Sequence, residues 1–599
     1  MKVMQSLQIF ITNTPHSVRS SCKYFLVVSS VGFIFWSVLT KALSLYLRRT
    51  QLNRKKTRIS TNVEKIRQHL ANLPKQVDTV DKDLSEICEE IQKDNVTPVE
   101  LLHAFQAKAL ELFDDGNSGI ADFIGEAEEH AISLEKLENK KLRSPLHGIP
   151  VSIKETCSVS GYDCTAGVIK LCNQACRRNS VIVKALKKAG AVPFVTTVTS
   201  QLCSSLDGFN PVYGEVSHPF VKSRLPGGSS SGEGVLLALH GSPIGIGTDL
   251  AGSIRIPAAF CGLAGLKPST VRLSISGIVP SSSVIFLRSC VGPMGRKVED
   301  LVRVMRTLLS PAMFNLDSYV IPMSFDEEMY SGTCKHNLVI GYYTSLTDPN
   351  IIPVLKVNQM AVKKAVTALK KIGHRVVEFT VPHPYQAYIL GLRALFADGG
   401  ETIRKQLYGE PVGPHLYFLN LLLRFPNFLR PLADIVSRLA YGKPSAIAHA
   451  TQKLKTGREA IDLITEINTY RYGFFKAWSD AGPLDALICP ATPYPAPPKD
   501  VSSVYVTPSI AYTILYNLLD CPAGTVPVGS VTKIDIQESL KMAQSFSFEG
   551  NKYASKVFSL LEGAEGLPLA VQVVGKPYHE EIVLRVMREL EEHVDKVVL

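Results

Sequence analysis

The chain has 599 residues, of which 45% are hydrophobic and 20% charged, so its composition is that of a folded protein and excludes an intrinsically disordered one. The formal net charge of +11 comes from Lys and Arg residues that are spread along the chain, which argues against a nucleic-acid partner. The 12 cysteines form no CxxC pair and no Cys/His pattern typical of zinc sites. We therefore expect no metal, no disulfide framework and a reducing compartment.

An apolar run near the N-terminus predicts a membrane anchor. Residues 24–40 contain no charged side chain, and after Lys41 the apolar run continues to Leu47. A helix of about 17 to 25 residues can cross a bilayer, and a lysine near its end can reach the interface. The alternative is a cleaved signal peptide, but no small-residue cleavage motif follows the run. We predict a tail at 1–23 and a transmembrane signal anchor at 24–47.

The basic residues on the two sides of this run predict its orientation. Three precede it, whereas six follow it between Arg48 and Arg58. The positive-inside rule places the more basic flank in the cytosol. We therefore expect a single-pass protein of an endomembrane, such as the endoplasmic reticulum, with its main body in the cytosol.

The rest of the chain divides into two regions that differ in their pattern of apolar residues. From 48 to 147 a basic juxtamembrane segment leads into helices, in which apolar residues recur at helical spacing, as at Leu84, Ile87 and Ile91. From 148 to 599 short β-branched runs alternate with helical stretches, which is typical of an α/β domain. We predict a mixed α/β fold with a largely buried sheet in this second region.

A second segment that could contact lipid lies at 416–439. Leu, Phe, Ile and Val occupy most of its positions, with three arginines between them, and Pro426 and Pro431 prevent one continuous helix. Two amphipathic helices lying in the membrane interface fit this pattern, and we predict a membrane-binding cap. Helices buried in the core or in a dimer interface fit it equally well.

Two segments rich in Gly and Ser, at 226–234 and 245–257, carry the strongest chemical signal. Such sequences allow successive backbone N–H groups to converge on one point and bind negative charge. The GxxxxGK[ST] phosphate loop and the GxGxxG dinucleotide pattern are both absent. An oxyanion hole for an acyl-transfer reaction is the remaining anion site, and a flexible linker is the alternative.

An acyl-transfer site also needs a base that activates a serine. His147 is the first histidine to consider, but no GxSxG motif accompanies it. Lys154 ends an apolar, strand-like run, where burial would favour the neutral amine and allow it to act as a base. A lone lysine in that place is more often a solvated strand end.

Four motifs occur in one order along the chain. They are Val151-Ser152-Ile153-Lys154-Glu155, Pro226-Gly227-Gly228-Ser229-Ser230-Ser231-Gly232, Gly247-Thr248-Asp249-Leu250-Ala251-Gly252-Ser253-Ile254-Arg255 and Gly262-Leu263-Ala264-Gly265-Leu266-Lys267-Pro268. Together they resemble the amidase-signature family, and the spacings between Lys154, Ser229 and Ser253 agree with that family's catalytic lysine, bridging serine and nucleophilic serine. The resemblance implies an α/β catalytic domain at 148–599 with a twisted, mixed β-sheet core covered by α-helices. It also implies that Lys154 is the base, Ser229 the proton shuttle and Ser253 the nucleophile, with no cofactor.

Within that family the chain most resembles the membrane-anchored fatty-acid amide hydrolases of mammalian type. This implies a homodimer that takes fatty-acid amides, such as N-acylethanolamines and primary amides, from the bilayer, with Cys203 and Phe396 beside the acyl chain. It also implies an oxyanion hole built from the N–H groups of Leu250, Ala251, Gly252 and Ser253. Since Ala251 stands where the family usually has glycine, we expect backbone strain there.

Two other functions remain open from the sequence. A glutamine-hydrolysing amidotransferase subunit would have the same three catalytic residues, but it would leave the apolar run and the cap unexplained. A membrane scaffold that binds lipid without catalysis would keep the fold and would not need Ser253 as a nucleophile. Covalent labelling of Ser253 by a fluorophosphonate separates the enzyme from the scaffold.

Overall fold

The computed structural model describes residues 16–73, 77–137, 143–279, 286–548 and 552–594, with side chains from residue 43 onward apart from residues 44, 427 and 441. The chain divides into two compact units, Met1–Lys56 and Thr57–Leu599. The predicted tail at 1–23 therefore lies largely outside the described residues, and so do most side chains of the predicted span at 24–47.

The helices of the described residues account for most of the chain's regular structure. They are α1 (His16–Ala71), α2 (Leu84–Gln92), α3 (Pro98–Asp114), α4 (Ala127–Glu135), α5 (Val181–Lys188), α6 (Ser231–Ala238), α7 (Arg255–Cys261), α8 (Val298–Leu308), α9 (Pro311–Phe314), α10 (Glu327–Ser331), α11 (Lys356–Ile372), α12 (Pro384–Leu395), α13 (Glu401–Leu407), α14 (Pro414–Arg424), α15 (Pro431–Tyr441), α16 (Ala446–Ala450), α17 (Gly457–Asp480), α18 (Ser503–Val506), α19 (Ala511–Leu518), α20 (Lys533–Phe548), α21 (Lys552–Ser559) and α22 (Glu580–His593). Short 3₁₀ turns occur at Ile169–Leu171, Gln201–Cys203, Asn427–Leu429 and Thr507–Ile510.

One sheet of 11 strands forms the centre of the unit Thr57–Leu599, in the order β1-β3-β2-β4-β6-β5-β10-β11-β9-β7-β8. Its pairings are both parallel and antiparallel, which confirms the predicted mixed α/β sheet. The strands are β1 (Ile120–Phe123), β2 (Pro150–Lys154), β3 (Val192–Thr197), β4 (Ile244–Asp249), β5 (Ala264–Lys267), β6 (Cys290–Gly295), β7 (Val339–Tyr342), β8 (Arg375–Glu378), β9 (Ala486–Pro490), β10 (Ala523–Ser530) and β11 (Pro568–Gly575).

Strands β2 and β4 position the candidate catalytic residues. They run parallel, and Ile153 lies opposite Ile246, so their carboxyl ends meet at one edge of the sheet. All residues of both strands are buried, because helices cover both faces of a sheet of this kind. Lys154, at the end of β2, is therefore brought beside the residues that follow β4.

The region before residue 148 contains more than the helices predicted for it. Helices α2 and α3 match the predicted spacing, and α2 buries Leu84, Ile87 and Ile91. However, strand β1 pairs antiparallel with β3 at the edge of the sheet. This strand of four residues is too short to show a period in the sequence, and its partner is distant along the chain.

Helix α1 includes the whole backbone of the predicted span at 24–47. Across the described part of the chain, no helix combines the length and the apolarity that crossing a bilayer requires. The transmembrane anchor stays a prediction.

Helices α14 and α15 form the predicted cap segment, and the break between them falls at Pro426 and Pro431 as expected. Its outer surface is apolar. The exposed apolar side chains are Tyr417, Phe418, Leu421, Phe425, Phe428, Leu432, Ile435, Val436 and Leu439.

One of the three arginines of this cap does not contribute to an exposed basic surface. Arg430 is buried, and its guanidinium donates to the backbone carbonyls of Phe425, Gly399, Leu423 and Thr451. It therefore stabilises the loop between the two cap helices and does not face lipid headgroups, since each carbonyl accepts a hydrogen bond from one of its N–H donors.

Candidate active site

Lys154 is completely buried, so it is not a solvated strand end. Its amine donates to the hydroxyl of Ser229 over 2.8 Å and to the hydroxyl of Thr248 over 2.9 Å. Burial lowers the pKa of Lys154, and the surrounding thiols and carboxyl groups only partly oppose that shift. A neutral amine in contact with a hydroxyl can accept its proton.

Ser229 is also buried, in the turn that precedes α6. Its carbonyl accepts from the Thr199 hydroxyl over 2.8 Å, and the next N–H, that of Ser230, donates to the Ser253 carbonyl over 3.1 Å. These bonds fix the Ser229 turn against the segment that follows β3 on one side and against the Ser253 turn on the other.

Ser253 lies in the turn between the end of β4 and the start of α7, where it is partly exposed to a cavity. Among the described residues no group hydrogen-bonds to its hydroxyl, which leaves this oxygen available to a bound molecule. The structure thus joins Lys154 to Ser229 directly, and it joins the Ser229 and Ser253 turns through their backbone.

A buried ion pair shapes the turn that carries Ser253. Asp249 accepts from Arg255 over 2.9 Å, and both side chains are fully buried. Arg255 also donates to Gln572 and Asn517, which fixes the pair to β11 and α19. Burial alone would raise the pKa of Asp249, but the Arg255 charge and hydrogen bonds outweigh it and hold that pKa well below its usual range.

The same carboxylate changes the predicted oxyanion hole. Asp249 accepts from the Gly252 N–H over 2.8 Å, so this N–H is engaged within the turn. The N–H groups of Leu250, Ala251 and Ser253 donate to no group in the described part of the chain. These three remain as the candidate donors to an oxyanion.

The backbone strain expected at Ala251 is not found. Ala251 is absent from the non-glycine residues with positive φ, whereas Gly252 has φ of 127°. A Cβ on Gly252 would lie 2.5 Å from the Thr513 hydroxyl oxygen, which itself donates to the Ala251 carbonyl over 2.5 Å. The turn therefore requires glycine at 252, and a methyl group at 251 is accommodated.

Glu233 lies close to Lys154 but has separate partners. Its carboxylate accepts from Ser152 over 2.6 Å and from Thr197 over 2.8 Å. Burial raises the pKa of Glu233 to about 7, against the effect of these bonds and of Lys154. It can approach β4 because Gly245 has no side chain: a Cβ there would lie 2.0 Å from the carboxylate.

Asp249, Arg255 and Glu233 lie in the two segments rich in Gly and Ser, but no role was predicted for them. Two charged residues inside a Gly-rich run flanked by apolar strands are a usable signal, because charges in such a place must pair. Thr513, Asn517 and Gln572 had no comparable signal, since they reach the site only through the packing of α19 and β11.

A cavity of about 700 Å³ leads away from Ser253. Leu250, Ala251 and Gly252 line it at the catalytic end, and the predicted acyl-channel residues Cys203 and Phe396 also line it. Its apolar walls come mainly from α12 and the two cap helices, through Leu392, Leu395, Leu416, Leu419, Leu422, Phe425, Leu429, Leu432 and Val436.

His147 lies away from this arrangement. It precedes β2, whereas Lys154 ends that strand, and His147 does not line the cavity. Among the described residues, one group of side chains could hold a metal ion, namely His69, His103 and Glu128. None of the three lines the cavity.

Comparison with known proteins agrees with this geometry. Residues 100–584 match the family described as Amidase. "Fatty-acid amide hydrolase 1" of Sus scrofa is 34% identical over 513 residues, which cover 85% of each chain. "Fatty acid amide hydrolase 1" of Caenorhabditis elegans is 34% identical over 550 residues, 90% of this chain and 93% of that relative.

A solved structure described as "Fatty acid amide hydrolase" has the same fold. It superposes with a TM-score of 0.70 at 23% identity, over 92% of this chain and 91% of the other. The predicted amidase-signature fold is confirmed.

Proposed function

We propose that this chain, which belongs to the amidase-signature family and is a hydrolase acting on amide bonds, cleaves long-chain fatty-acid amides to a free fatty acid and an amine. One observation carries the proposal: one apolar cavity is lined both by Ser253 and by exposed apolar side chains of the cap. A long acyl chain fits a cavity of this kind, because apolar surface is stabilised when it leaves water.

The first half of the proposed reaction forms an acyl-enzyme. Neutral Lys154 accepts the Ser229 proton while Ser229 accepts the proton of Ser253, whose oxygen attacks the amide carbonyl carbon. The negative charge that develops on the carbonyl oxygen meets the free N–H groups of the turn that ends at Ser253. Each such donor lowers the barrier by about 3 kcal/mol.

The second half releases both products. Ser229 returns a proton to the leaving nitrogen as the C–N bond breaks, and Lys154 resupplies Ser229. Water then loses a proton to the same relay and attacks the acyl-enzyme, which frees the fatty acid and restores the Ser253 hydroxyl. All proton transfers use side chains of this chain, so no cofactor is needed.

The two rival functions fit the site less well. Glutamine is small and polar, and a cavity walled by leucine and phenylalanine side chains offers its head groups few partners. A scaffold without catalysis is inconsistent with a hydrolase of this family, and it gives no reason for a buried Lys154 against Ser229.

We further propose that the protein attaches to an endomembrane at two places, with its catalytic body in the cytosol. The first is the span at 24–47, of which the described side chains Leu43, Leu45, Tyr46 and Leu47 are exposed. The second is the cap. The predicted catalytic region at 148–599 would then share its sheet with strand β1 of the region 48–147. Homodimerisation is testable by sedimentation in detergent.

Hydrolysis of a panel of amides tests the substrate class. We expect kcat/KM to rise steeply from acetamide to amides of 16 to 20 carbons, both as primary amides and as ethanolamides, with glutamine the poorest substrate. A fluorophosphonate should label Ser253 and block all of these activities. Preference for acetamide or glutamine would overturn the proposed substrate class, and labelling of another serine would overturn the proposed nucleophile.

A further inference from the structure

The cavity contains one histidine, His415, whose hydrogen bonds are missing. It is 7% exposed, it lies in the first turn of α14, and it lines the cavity among leucines. Neither Nδ1 nor Nε2 of its ring has a hydrogen-bond partner in the described structure. Both nitrogens are therefore shielded from bulk water and unpaired.

Contacts around His415 connect it to the catalytic end of the cavity. The Gly413 N–H donates to the Gln201 side chain over 3.0 Å, and the Gln201 amide donates to the Pro411 carbonyl over 2.7 Å. The segment just before His415 is thus fixed to the turn that carries Cys203. The Cys203 thiol lies 3.2 Å from the Thr199 hydroxyl, which donates to the Ser229 carbonyl.

An unpaired imidazole is costly in such a place. Buried polar side chains almost always have a hydrogen-bond partner, and a polar group left without one destabilises the folded state. A leucine at 415 would match the neighbouring Leu416 and Leu419 and would avoid this cost. The exception points to a partner that enters the cavity with the substrate.

We propose that His415 binds a hydroxyl group on the acyl chain of the substrate, so that the enzyme prefers amides of hydroxylated fatty acids. A neutral imidazole offers one N–H donor and one acceptor nitrogen, and a hydroxyl group both accepts and donates. This inference rests on the proposed function and specifies its substrate class. The hydroxyl belongs to the acyl chain, since this chain is the part of the substrate that occupies the apolar cavity lined by His415.

The test is a comparison of kcat/KM for matched amides in the full-length enzyme. One series has the same amine and a single hydroxyl at different carbons of the acyl chain, with the unsubstituted chain as reference. A control pair has one plain acyl chain and either an ethanolamide or a propylamide, and it shows whether a hydroxyl on the amine is bound instead. We expect about a tenfold preference for at least one hydroxylated acyl chain of the first series, because a site built to bind a hydroxyl discriminates against its absence.

Substitutions then assign that preference to one side chain. His415→Leu should remove it, through a higher KM for the hydroxylated amide, and should leave the unsubstituted long-chain amide cleaved at least as well. His415→Gln, which keeps a donor and an acceptor, should retain part of it. Phe418→Leu, at another position of the cavity wall, should leave it unchanged.

The outcomes separate this inference from the proposed function. Equal or poorer cleavage of every amide with a hydroxylated acyl chain by the wild type, or an intact preference in His415→Leu, would overturn the role of His415 while the plain long-chain amide is still hydrolysed. Failure of the wild type on all long-chain amides would instead overturn the proposed function.

Discussion

The amine of Lys154 donates to the Ser229 hydroxyl over 2.8 Å, and neither side chain is more than 1% exposed. The lysine thereby exchanges the hydration of an ammonium group for contact with two hydroxyl groups, which favours its neutral form. A lysine whose pKa is lowered by burial and whose amine already contacts a serine can take the part of a histidine as the base. The predictions that follow start from this contact.

Ser253→Ala should abolish amide hydrolysis and fluorophosphonate labelling while leaving thermal stability unchanged, because it removes the nucleophilic oxygen and little volume. Losses of a nucleophile are on the order of 10³-fold or more in kcat. Ser503→Ala, at another serine of the cavity wall, is the matched control and should remain active. Formation of an acyl-enzyme in the Ser253→Ala variant would show that another serine is the nucleophile.

Lys154→Ala should lower kcat/KM at neutral pH by roughly 10²- to 10⁴-fold, which is the contribution of a general base. Wild-type activity should rise with pH as Lys154 loses its proton, and this limb should lie below the lysine's ordinary pKa of 10.5 since burial lowers the pKa. In the variant that limb should vanish and activity should recover only as hydroxide becomes abundant. Lys154→Met, which fills the space, controls for lost packing. Near-normal activity of either variant at pH 7 would exclude Lys154 as the base.

Gly252→Ala and Ala251→Gly should have opposite consequences in the turn before Ser253. A Cβ at 252 would lie 2.5 Å from the Thr513 hydroxyl at a φ of 127°, so the turn must distort and we expect at least about a 10²-fold loss of kcat. Ala251→Gly should stay within about threefold of the wild type, because Ala251 has no positive φ. Steady-state kinetics with one long-chain amide measures both. The reverse order would mean that the methyl of Ala251 contributes to the oxyanion site.

Glu233→Gln should change how stability depends on pH. The folded protein raises the pKa of Glu233 from 4.5 to about 7, so it holds this proton more tightly than the unfolded chain. That contribution, on the order of 3 kcal/mol, is complete below pH 4.5 and is lost as the pH rises through 7.

Glutamine stays neutral, so the difference in melting temperature, variant minus wild type, should increase between pH 5 and 8. Melting curves of the two proteins at matched pH values measure this difference. A difference that is constant across this range would place the titration elsewhere.

Removal of residues 1–50 should leave the protein partly bound to vesicles, because the cap still presents apolar surface. In that truncated protein, Phe428→Glu together with Leu439→Glu should release it, since these side chains are 78% and 84% exposed. Flotation in low salt without detergent measures the bound fraction.

Leu422 is not a suitable position for this test, because it is buried and lines the cavity. Ile461→Glu is the control, as an exposed apolar residue on α17 outside the cap. If the truncated protein is already unbound to vesicles before these substitutions are made, the cap is a core or dimer element.

The sequence by itself determined the fold class and predicted which groups react. Alternating β-branched runs and helical stretches predicted the mixed sheet, and four ordered motifs pointed to Lys154, Ser229 and Ser253. These features are local, because period, composition and spacing can be recognised in short stretches of the chain. The motif residues of β2 and β4 also belong to strands that are buried on both faces.

The tertiary structure decided what depends on distant partners. Residues 120–123 form strand β1 only because they pair with β3. Arg430 is buried, and not exposed to lipid, because four backbone carbonyls accept its hydrogen bonds. Gly252 N–H is withdrawn from the predicted oxyanion hole because the Asp249 carboxylate, oriented by Arg255, accepts it. The unpaired ring nitrogens of His415 cannot be predicted from the sequence, because a histidine lacks hydrogen-bond partners only after the fold removes it from water.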